Sequence, residues 1–213
     1  MNPDSFSALV VCTGNLNRSA LGAALLRTWA GWYLPAPLAA RVQVASAGLA
    51  APVGSHMRTR SRSIAATLGA DASGHRAVQI TEPMIRTADL VLVAEASQRE
   101  KVLGFVPGAL KHTFTIREAG AIAGELPEWA PPTSVDELRS RVAAFGANRA
   151  LANGAPSDII DPQGKDDEAY RIMAREVVAY DEAVADAGAF PFGELAADPG
   201  ADAAARTRGR RQA

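Results

Sequence analysis

Residues 10–19 have the sequence VVCTGNLNRS. It overlaps an apolar run, FSALVV at 6–11, which is long enough for a buried strand. The residues from Arg18 to about Trp32 are rich in alanine and leucine and contain no proline, which predicts a helix. The segment therefore predicts a strand, a short loop and a helix in succession, with Cys12 at the end of the strand.

The order of strand and helix continues along the chain. Apolar or valine-rich runs at 41–46, 89–94 and 110–116 predict three further strands, and helical patterns at 56–69 and 97–104 lie between them. Such alternation is typical of parallel strand pairing, and apolar strands are typical of a sheet that is covered on both faces. We therefore expect an α/β fold, a doubly wound, four-stranded parallel sheet with helices on both faces.

The pattern changes after the fourth predicted strand. Several prolines flank a predicted helix at 134–145, and excursions as long as 124–157 are often functional or mobile. A last amphipathic helix is predicted at 166–187. These features predict one domain over 1–190 with a long excursion at about 124–157, and a disordered tail rich in alanine and arginine at 191–213.

The composition argues against several classes of protein. The 213 residues carry a formal net charge of −1, so no basic excess favours a nucleic-acid or membrane partner. The single cysteine allows no intramolecular disulfide and no multi-cysteine zinc site, and we expect no metal and no cofactor. The chain begins without the pattern of a signal peptide and has no long apolar run, which predicts a cytoplasmic protein. The oligomeric state stays open.

The loop after the first strand has the residue types of a nucleophilic phosphatase. Its backbone N–H groups can surround a phosphate, and the following helix N-terminus adds positive potential. The Arg18 guanidinium can bind two phosphate oxygens, and the positive surroundings favour the thiolate of Cys12. Ser19 can donate a hydrogen bond to that thiolate, and Gly14 or Asn15 can adopt positive φ. The alternative is a cysteine that only packs at a strand end.

The pattern Cys-x5-Arg-Ser before the first helix of such a fold resembles the low-molecular-weight protein tyrosine phosphatase family, in its actinobacterial type. The resemblance covers about 6–188, apart from the excursion. Four further segments are similar to the family in the same order: Ser46-Ala47-Gly48, His75-Arg76-Ala77, Ala88-Asp89-Leu90-Val91-Leu92 and Asp161-Pro162.

The resemblance implies a role for each matching residue. Cys12 would be the nucleophile, Arg18 the phosphate clamp, and Asp161 the general acid that later activates water; Asp158 is the rival carboxylate. The rest of the phosphate-binding loop would be Thr13, Gly14, Asn15, Leu16, Asn17 and Ser19. Ser46 and His75 would support the loop asparagine through a buried polar network. The implied activity is phosphomonoester hydrolysis, as a protein tyrosine phosphatase, on a phosphorylated protein or a small aryl phosphate.

Some positions depart from the family pattern. Asn17 stands where many members have a second cysteine, and Ala20 stands where proline is frequent. Gln163 and Leu49 stand where aromatic residues often line the cleft. Because an aromatic wall favours a phenyl leaving group by stacking, we expect only a modest preference for phosphotyrosine.

Two alternatives to a phosphatase remain. An arsenate reductase of the same fold needs one cysteine if an external small thiol completes its reaction, whereas a thioredoxin-coupled reductase needs more cysteines than this chain has. A phosphate-binding regulatory protein with a decayed site is the second alternative. The presence of Cys12, Arg18 and Asp161 argues against it.

Overall fold

Four parallel strands form the sheet at the centre of the protein. The computed structural model describes residues 4–127 and 130–186, without the side chains of 179–186. The strands are β1 (Phe6–Cys12), β2 (Val42–Gly48), β3 (Leu90–Val93) and β4 (Thr113–Thr115). They lie in the order β2-β1-β3-β4, and every pair is parallel. The predicted four-stranded parallel sheet is confirmed.

Helices cover this sheet. They are α1 (Arg18–Tyr33), α2 (Ala36–Ala39), α3 (Thr59–Thr67), α4 (Glu82–Thr87), α5 (Ala96–Phe105), α6 (Ile116–Glu125), α7 (Val135–Ala147) and α8 (Asp167–Asp186). Ala8 and Val10 of β1 are buried with apolar residues of α1, α6 and α8, whereas Leu9 and Val11 are buried with residues of α4 and α5. Since alternate residues of a strand point to opposite faces, helices cover both faces of the sheet, as predicted.

The region around the fourth strand differs from the prediction. The strand is limited to Thr113–Thr115, because Pro107–His112 forms a 3₁₀ helix. The helix α6, which was not predicted, begins directly after β4. Its start is fixed by a capping box, in which the Thr115 side chain accepts from Glu118 N and the Glu118 side chain accepts from Thr115 N. Between α1 and β2, the chain forms the short helix α2.

Within the segment 124–157, α7 packs against the body of the protein. Leu138 and Phe145 on this helix are buried. Arg139 donates to Asp89 Oδ1 at 2.9 Å and to Ser5 O at 2.9 Å, which ties α7 to the amino ends of β1 and β3. The segment therefore includes a docked helix at the end of the sheet opposite the cysteine loop. The single domain over 1–190 stays a prediction, and the tail at 191–213 lies outside the described residues.

Candidate active site

The loop after β1 lies against the end of β2. Leu49 N donates to Cys12 O at 2.9 Å, and Ala50 N donates to Thr13 O at 2.8 Å. A Cβ atom on Gly48 would come within 2.7 Å of Thr13 O, so this close approach requires glycine. Because Gly48 has no side chain, it leaves space for the loop, and this explains the last residue of the Ser46-Ala47-Gly48 motif.

The sulfur of Cys12 receives two hydrogen-bond contacts inside the loop. Its Sγ lies 3.0 Å from Ser19 Oγ and 3.3 Å from Asn15 N. Ser19 Oγ accepts a hydrogen bond from Asn15 Nδ2 at 2.9 Å, so its own hydrogen is available to the sulfur. The other acceptor near this hydroxyl, Ala47 O, is farther away at 3.5 Å. This arrangement favours a negatively charged sulfur, because both neighbours donate.

Asn15 holds the loop in its shape. It is fully buried and has a φ of 54°, the left-handed conformation that asparagine tolerates better than most residues. Within the described loop, Asn15 has a positive φ and Gly14 does not. The Asn15 side chain donates to Ser46 Oγ at 2.9 Å and accepts from Val78 N at 2.9 Å. Its bonds to neighbouring segments hold this strained residue in place.

His75 joins the same polar network. Its Nε2 lies 2.8 Å from Asn15 O, and since a carbonyl accepts, the ring donates from this nitrogen. Burial lowers the pKa of His75, and this effect outweighs the hydrogen bond to Asn15 O that raises it. The neutral ring is therefore favoured. The structure brings Ser46 and His75 together around Asn15, as the resemblance implied.

Arg18 is almost completely buried beside the cysteine loop, with 2% of its side chain exposed. Its Nη1 pairs with Glu95 Oε1 and donates to Ile159 O at 3.0 Å, and its Nη2 donates to Asp161 Oδ2 at 2.9 Å. A guanidinium has five N–H groups. Three of them are used by these partners, which leaves the Nε–H and one Nη2–H for other acceptors.

The two candidate carboxylates face different groups. Asp161 Oδ2 accepts from Arg18, and its Oδ1 accepts from Gln163 N at 3.1 Å. Asp158 Oδ1 instead accepts from Ala96 N at the start of α5, at 2.8 Å. The structure therefore brings Asp161 next to Arg18, and it places Asp158 at a helix terminus, where a carboxylate is stabilising.

The segment that carries Asp161 is fixed by the protein body. Ile159 N donates to Ala94 O at the end of β3, at 2.8 Å. Ile160 N donates to Glu176 Oε2 on α8 at 2.8 Å, and Glu176 also pairs with Arg117 at 2.7 Å. Asp161 therefore reaches the loop from a backbone that β3 and α8 hold.

The other loop residues have neighbours of their own. Thr13 Oγ1 accepts from Gln98 Nε2 at 3.2 Å, and Leu16 O accepts from Arg58 N at 3.0 Å. Asn17 Oδ1 accepts from Ser61 Oγ at 2.8 Å, while its Nδ2 donates weakly to Gln163 Oε1 at 3.4 Å. At the position where many members have a second cysteine, this chain has a polar link to two other segments.

Sequence reasoning missed two side chains of this site. Glu95 pairs with Arg18, and the almost fully buried Gln98 donates to Thr13 and accepts from Ala94 N at 3.1 Å. Both follow the predicted third strand at its carboxyl end, where sites of open α/β sheets lie. Their position after a predicted strand was therefore the signal by which the sequence could have identified them.

The described part of the chain was searched for a metal site and for a membrane-spanning helix. Its histidine, cysteine, aspartate and glutamate residues form no group of three or more that could hold a metal ion. None of its helices combines the length and apolar character needed to cross a membrane.

Comparison with known sequences identifies similar proteins. A family model described as low molecular weight phosphotyrosine protein phosphatase matches residues 7–118. A probable low molecular weight protein-tyrosine-phosphatase, EpsP, from Ralstonia nicotianae is 36% identical over 110 residues, covering 52% of this chain and 70% of that protein. A protein-arginine-phosphatase from Geobacillus stearothermophilus is 32% identical over 113 residues, covering 53% of this chain and 70% of that protein.

Comparison with solved structures extends over more of the chain. A low molecular weight protein tyrosine phosphatase from T. tengcongensis has a TM-score of 0.60 at 24% identity, covering 83% of this chain and 95% of that one. This likeness supports the doubly wound fold. Asp161 lies beyond the segment that the family model matches. With the model spanning more than half of its residues, the chain belongs to the low molecular weight phosphotyrosine protein phosphatase family.

Proposed function

We propose that the protein hydrolyses phosphate monoesters on tyrosine residues of proteins, with Cys12 as the nucleophile. The observation that carries the proposal is the position of Cys12 Sγ, 3.0 Å from Ser19 Oγ and 3.3 Å from Asn15 N, in the loop that leads into Arg18. Two donors directed at the sulfur stabilise the thiolate, which is the form that attacks phosphorus.

In the first step the Cys12 sulfur attacks phosphorus, and the bond from phosphorus to the phenolic oxygen breaks. Asp161 gives its proton to that oxygen, so the product leaves as a neutral phenol. The two remaining N–H groups of Arg18, on Nε and Nη2, and the loop amides bind the non-bridging oxygens. Glu95 and Ile159 O hold the other side of the guanidinium, which fixes its plane.

In the second step water attacks the phosphorus of the cysteinyl phosphate. Asp161 takes a proton from the water, the bond from sulfur to phosphorus breaks, and inorganic phosphate leaves with the thiolate restored. The hydroxyl of Ser19 stabilises the departing sulfur through the same hydrogen bond that it gives to the free thiolate. One carboxylate thus serves as acid and then as base.

Tyrosine is the proposed substrate residue because apolar side chains lie in the loop and directly beside it. Leu16 and Leu49 are both partly exposed, and Leu49 N bonds directly to Cys12 O. Aliphatic surface suits a phenyl ring, whereas the charged guanidinium of a phosphoarginine loses solvation against it. Since one relative is named a protein-arginine-phosphatase, phosphoarginine is the competing substrate to be tested.

The arsenate reductase alternative is not favoured. Expulsion of a phenoxide requires a proton donor at the loop, and Asp161 beside Arg18 supplies one. A phosphoprotein in the cytoplasm is the proposed partner, since a reducing compartment keeps a single essential thiol reduced.

The test uses one preparation of wild-type enzyme and of Cys12→Ser. We expect the wild type to hydrolyse an aryl phosphate and a phosphotyrosine peptide faster than a phosphoarginine peptide, and Cys12→Ser to show no turnover of either ester. Arsenate-dependent oxidation of a small thiol is measured alongside. Turnover by Cys12→Ser would overturn the assignment of the nucleophile, and a faster phosphoarginine reaction would overturn the substrate.

A further inference from the structure

We propose that a basic surface beside the cysteine loop binds acidic residues of the phosphoprotein substrate. This proposal rests on the proposed function and names a feature of its substrate. We define the basic surface as the side chains of Arg58, Arg62 and Arg76, together with His56. All four are exposed.

The backbone places this surface next to the loop. Arg58 N donates to Leu16 O at 3.0 Å, so the first residue of the surface directly adjoins the loop. Arg62 follows one turn later on the same face of the helix, and its N–H bonds to Arg58 O at 2.9 Å. On the neighbouring segment, the ring of His75 bonds to Asn15 O at 2.8 Å, and Arg76 comes next.

The two segments that carry these cations are joined to each other. Gly54 N donates to Ala77 O at 2.9 Å, and Ala77 N donates to Ser55 O at 2.8 Å. These bonds place His56 and Arg76 side by side in the chain segments that border the loop. Burial is the main cause that lowers the pKa of His75, and the nearby charges of Arg27 and Arg76 lower it further. Three arginines and a histidine thus share one side of the site.

Among the described residues, the arginines of this surface form no ion pair with a carboxylate, unlike most of the other described arginines. Within 4–127 and 130–186, the arginines that pair with a carboxylate are Arg18, Arg41, Arg60, Arg86, Arg99, Arg117, Arg139, Arg149, Arg171 and Arg175. In the same described part, Arg58, Arg62 and Arg76 pair with none, and Arg76 donates only to His75 O. Their charges are therefore available to an external anion.

Three nearby carboxylates pair with arginines outside this surface. Glu95 and Asp161 bind Arg18, and Asp167 pairs with Arg60 at 2.7 Å. Asp71, which lines a shallow depression together with Arg62, accepts from Ser73 N at 2.8 Å. The net charge of the whole chain is only −1. A concentration of unpaired cations beside the loop is thus a local feature, and it suits a peptide with aspartate or glutamate near its phosphotyrosine.

The experiment compares two phosphotyrosine peptides, one with glutamates and one with glutamines flanking the tyrosine, and a small aryl phosphate that does not extend beyond the loop. We expect kcat/KM at low salt to be about fivefold to tenfold higher for the acidic peptide, which corresponds to a modest gain from each exposed charge pair. The preference should shrink as ionic strength rises, since salt screens exposed charges.

The triple variant Arg58→Gln, Arg62→Gln, Arg76→Gln should lose this preference while its rate on the aryl phosphate stays near that of the wild type. The matched control is Arg41→Gln, Arg86→Gln, Lys111→Gln, which removes the same charge from exposed positions at the amino ends of the strands. It should keep the preference.

Three results would overturn the inference: equal rates on both peptides with the wild type, the same loss in the control variant, or an equal loss on the aryl phosphate. Failure of the proposed function is separate from these, because it would appear as absent or Cys12-independent hydrolysis of the aryl phosphate itself.

Discussion

Arg18 Nη2 donates a hydrogen bond to Asp161 Oδ2 at 2.9 Å, although the two residues are 143 positions apart in the sequence. The guanidinium is 2% exposed, whereas the Asp161 side chain is 47% exposed. The contact therefore joins a fixed cation inside the loop to a carboxylate at its rim. The contact places at one end of the loop the two side chains whose proposed roles are phosphate clamp and proton donor.

Asp161→Asn is expected to lower kcat by about 100-fold for phenyl phosphates with basic leaving groups, and much less for a nitrophenyl phosphate, because a proton donor matters most when the departing oxygen is basic. The measurement is kcat over a series of substituted aryl phosphates. Asp158→Asn is the matched control, since an asparagine there can still accept from Ala96 N. A leaving-group dependence that appears in Asp158→Asn alone would show that the wrong carboxylate was assigned.

Glu95→Gln is expected to lower kcat/KM by about tenfold, because Arg18 loses the charge of a partner that fixes its orientation. We expect the affinity of the variant for vanadate to fall as well, while its melting temperature stays unchanged. A purely structural role of Glu95 would instead lower the melting temperature. Glu100→Gln, an exposed position on the same helix, is the control. Unchanged kcat/KM and vanadate affinity in Glu95→Gln would mean that Asp161 and the Ile159 carbonyl orient Arg18 without it.

The parts of this site differ in how far the sequence reveals them. Cys12 and Arg18 are close together in the chain, so strand, loop and helix patterns place both in one loop. Asp161 came only from the resemblance, since Asp-Pro pairs are frequent in turns and nothing local connects it to Arg18. Glu95 has a signal of position, since it follows the third predicted strand at its carboxyl end, but its pairing with Arg18 joins residues 77 positions apart and has no local signal.

The fold shows the same division. The sheet follows from apolar runs, which the sequence displays directly. The strand-like composition of LKHTFTI predicts a fourth strand over 110–116, whereas the structure has a 3₁₀ helix over Pro107–His112 and a strand only over Thr113–Thr115. The helix after Thr115 was overlooked, although the spacing of Thr115 and Glu118 carries its capping signal.

His75 is expected to make the protein less stable as the solution is acidified. Burial lowers its pKa in the folded protein, so the unfolded chain binds a proton more readily. The contribution of His75 to the free energy of unfolding is complete above the pKa that this residue has in the unfolded chain, about 6.5. It is lost as the pH falls from there toward the lower pKa of the folded protein. The melting temperature of the wild type should therefore fall between about pH 7.5 and pH 5.5.

The His75→Gln variant checks this assignment, because glutamine can donate to Asn15 O without titrating. Its melting temperature should fall less over the same pH interval. A residual slope is expected, since burial also lowers the pKa of His112. Identical slopes for the wild type and His75→Gln would contradict the prediction.

Gln163→Tyr is expected to raise kcat/KM for phosphotyrosine peptides about threefold to fivefold, because an aromatic side chain at the rim can stack on the phenyl ring. The loss of the weak 3.4 Å contact between Gln163 and Asn17 should cost little. Tyr170 does not supply this wall, since it is 6% exposed and lies under Arg60. Trp129, an aromatic residue that lies beyond the motifs of the family, is outside the described residues.

A peptide panel with the wild type and Gln163→Tyr makes the comparison, with Gln163→Leu as a control for lost polarity. The wild type should distinguish phosphotyrosine peptides from other aryl phosphates only modestly. A steep phosphotyrosine preference in the wild type would mean that another group already forms the wall.

The proposed mechanism places a phosphoryl group on Cys12 during turnover, and this intermediate can be trapped. Asp161→Asn is mixed with a nitrophenyl phosphate, whose departure needs little help, and is quenched in acid before the slower hydrolysis of the intermediate is complete. We expect one added phosphoryl group by intact mass, located on the peptide that contains Cys12 and absent from a Cys12→Ser, Asp161→Asn double variant. A phosphoryl group on any other residue, or turnover that persists in the double variant, would contradict it.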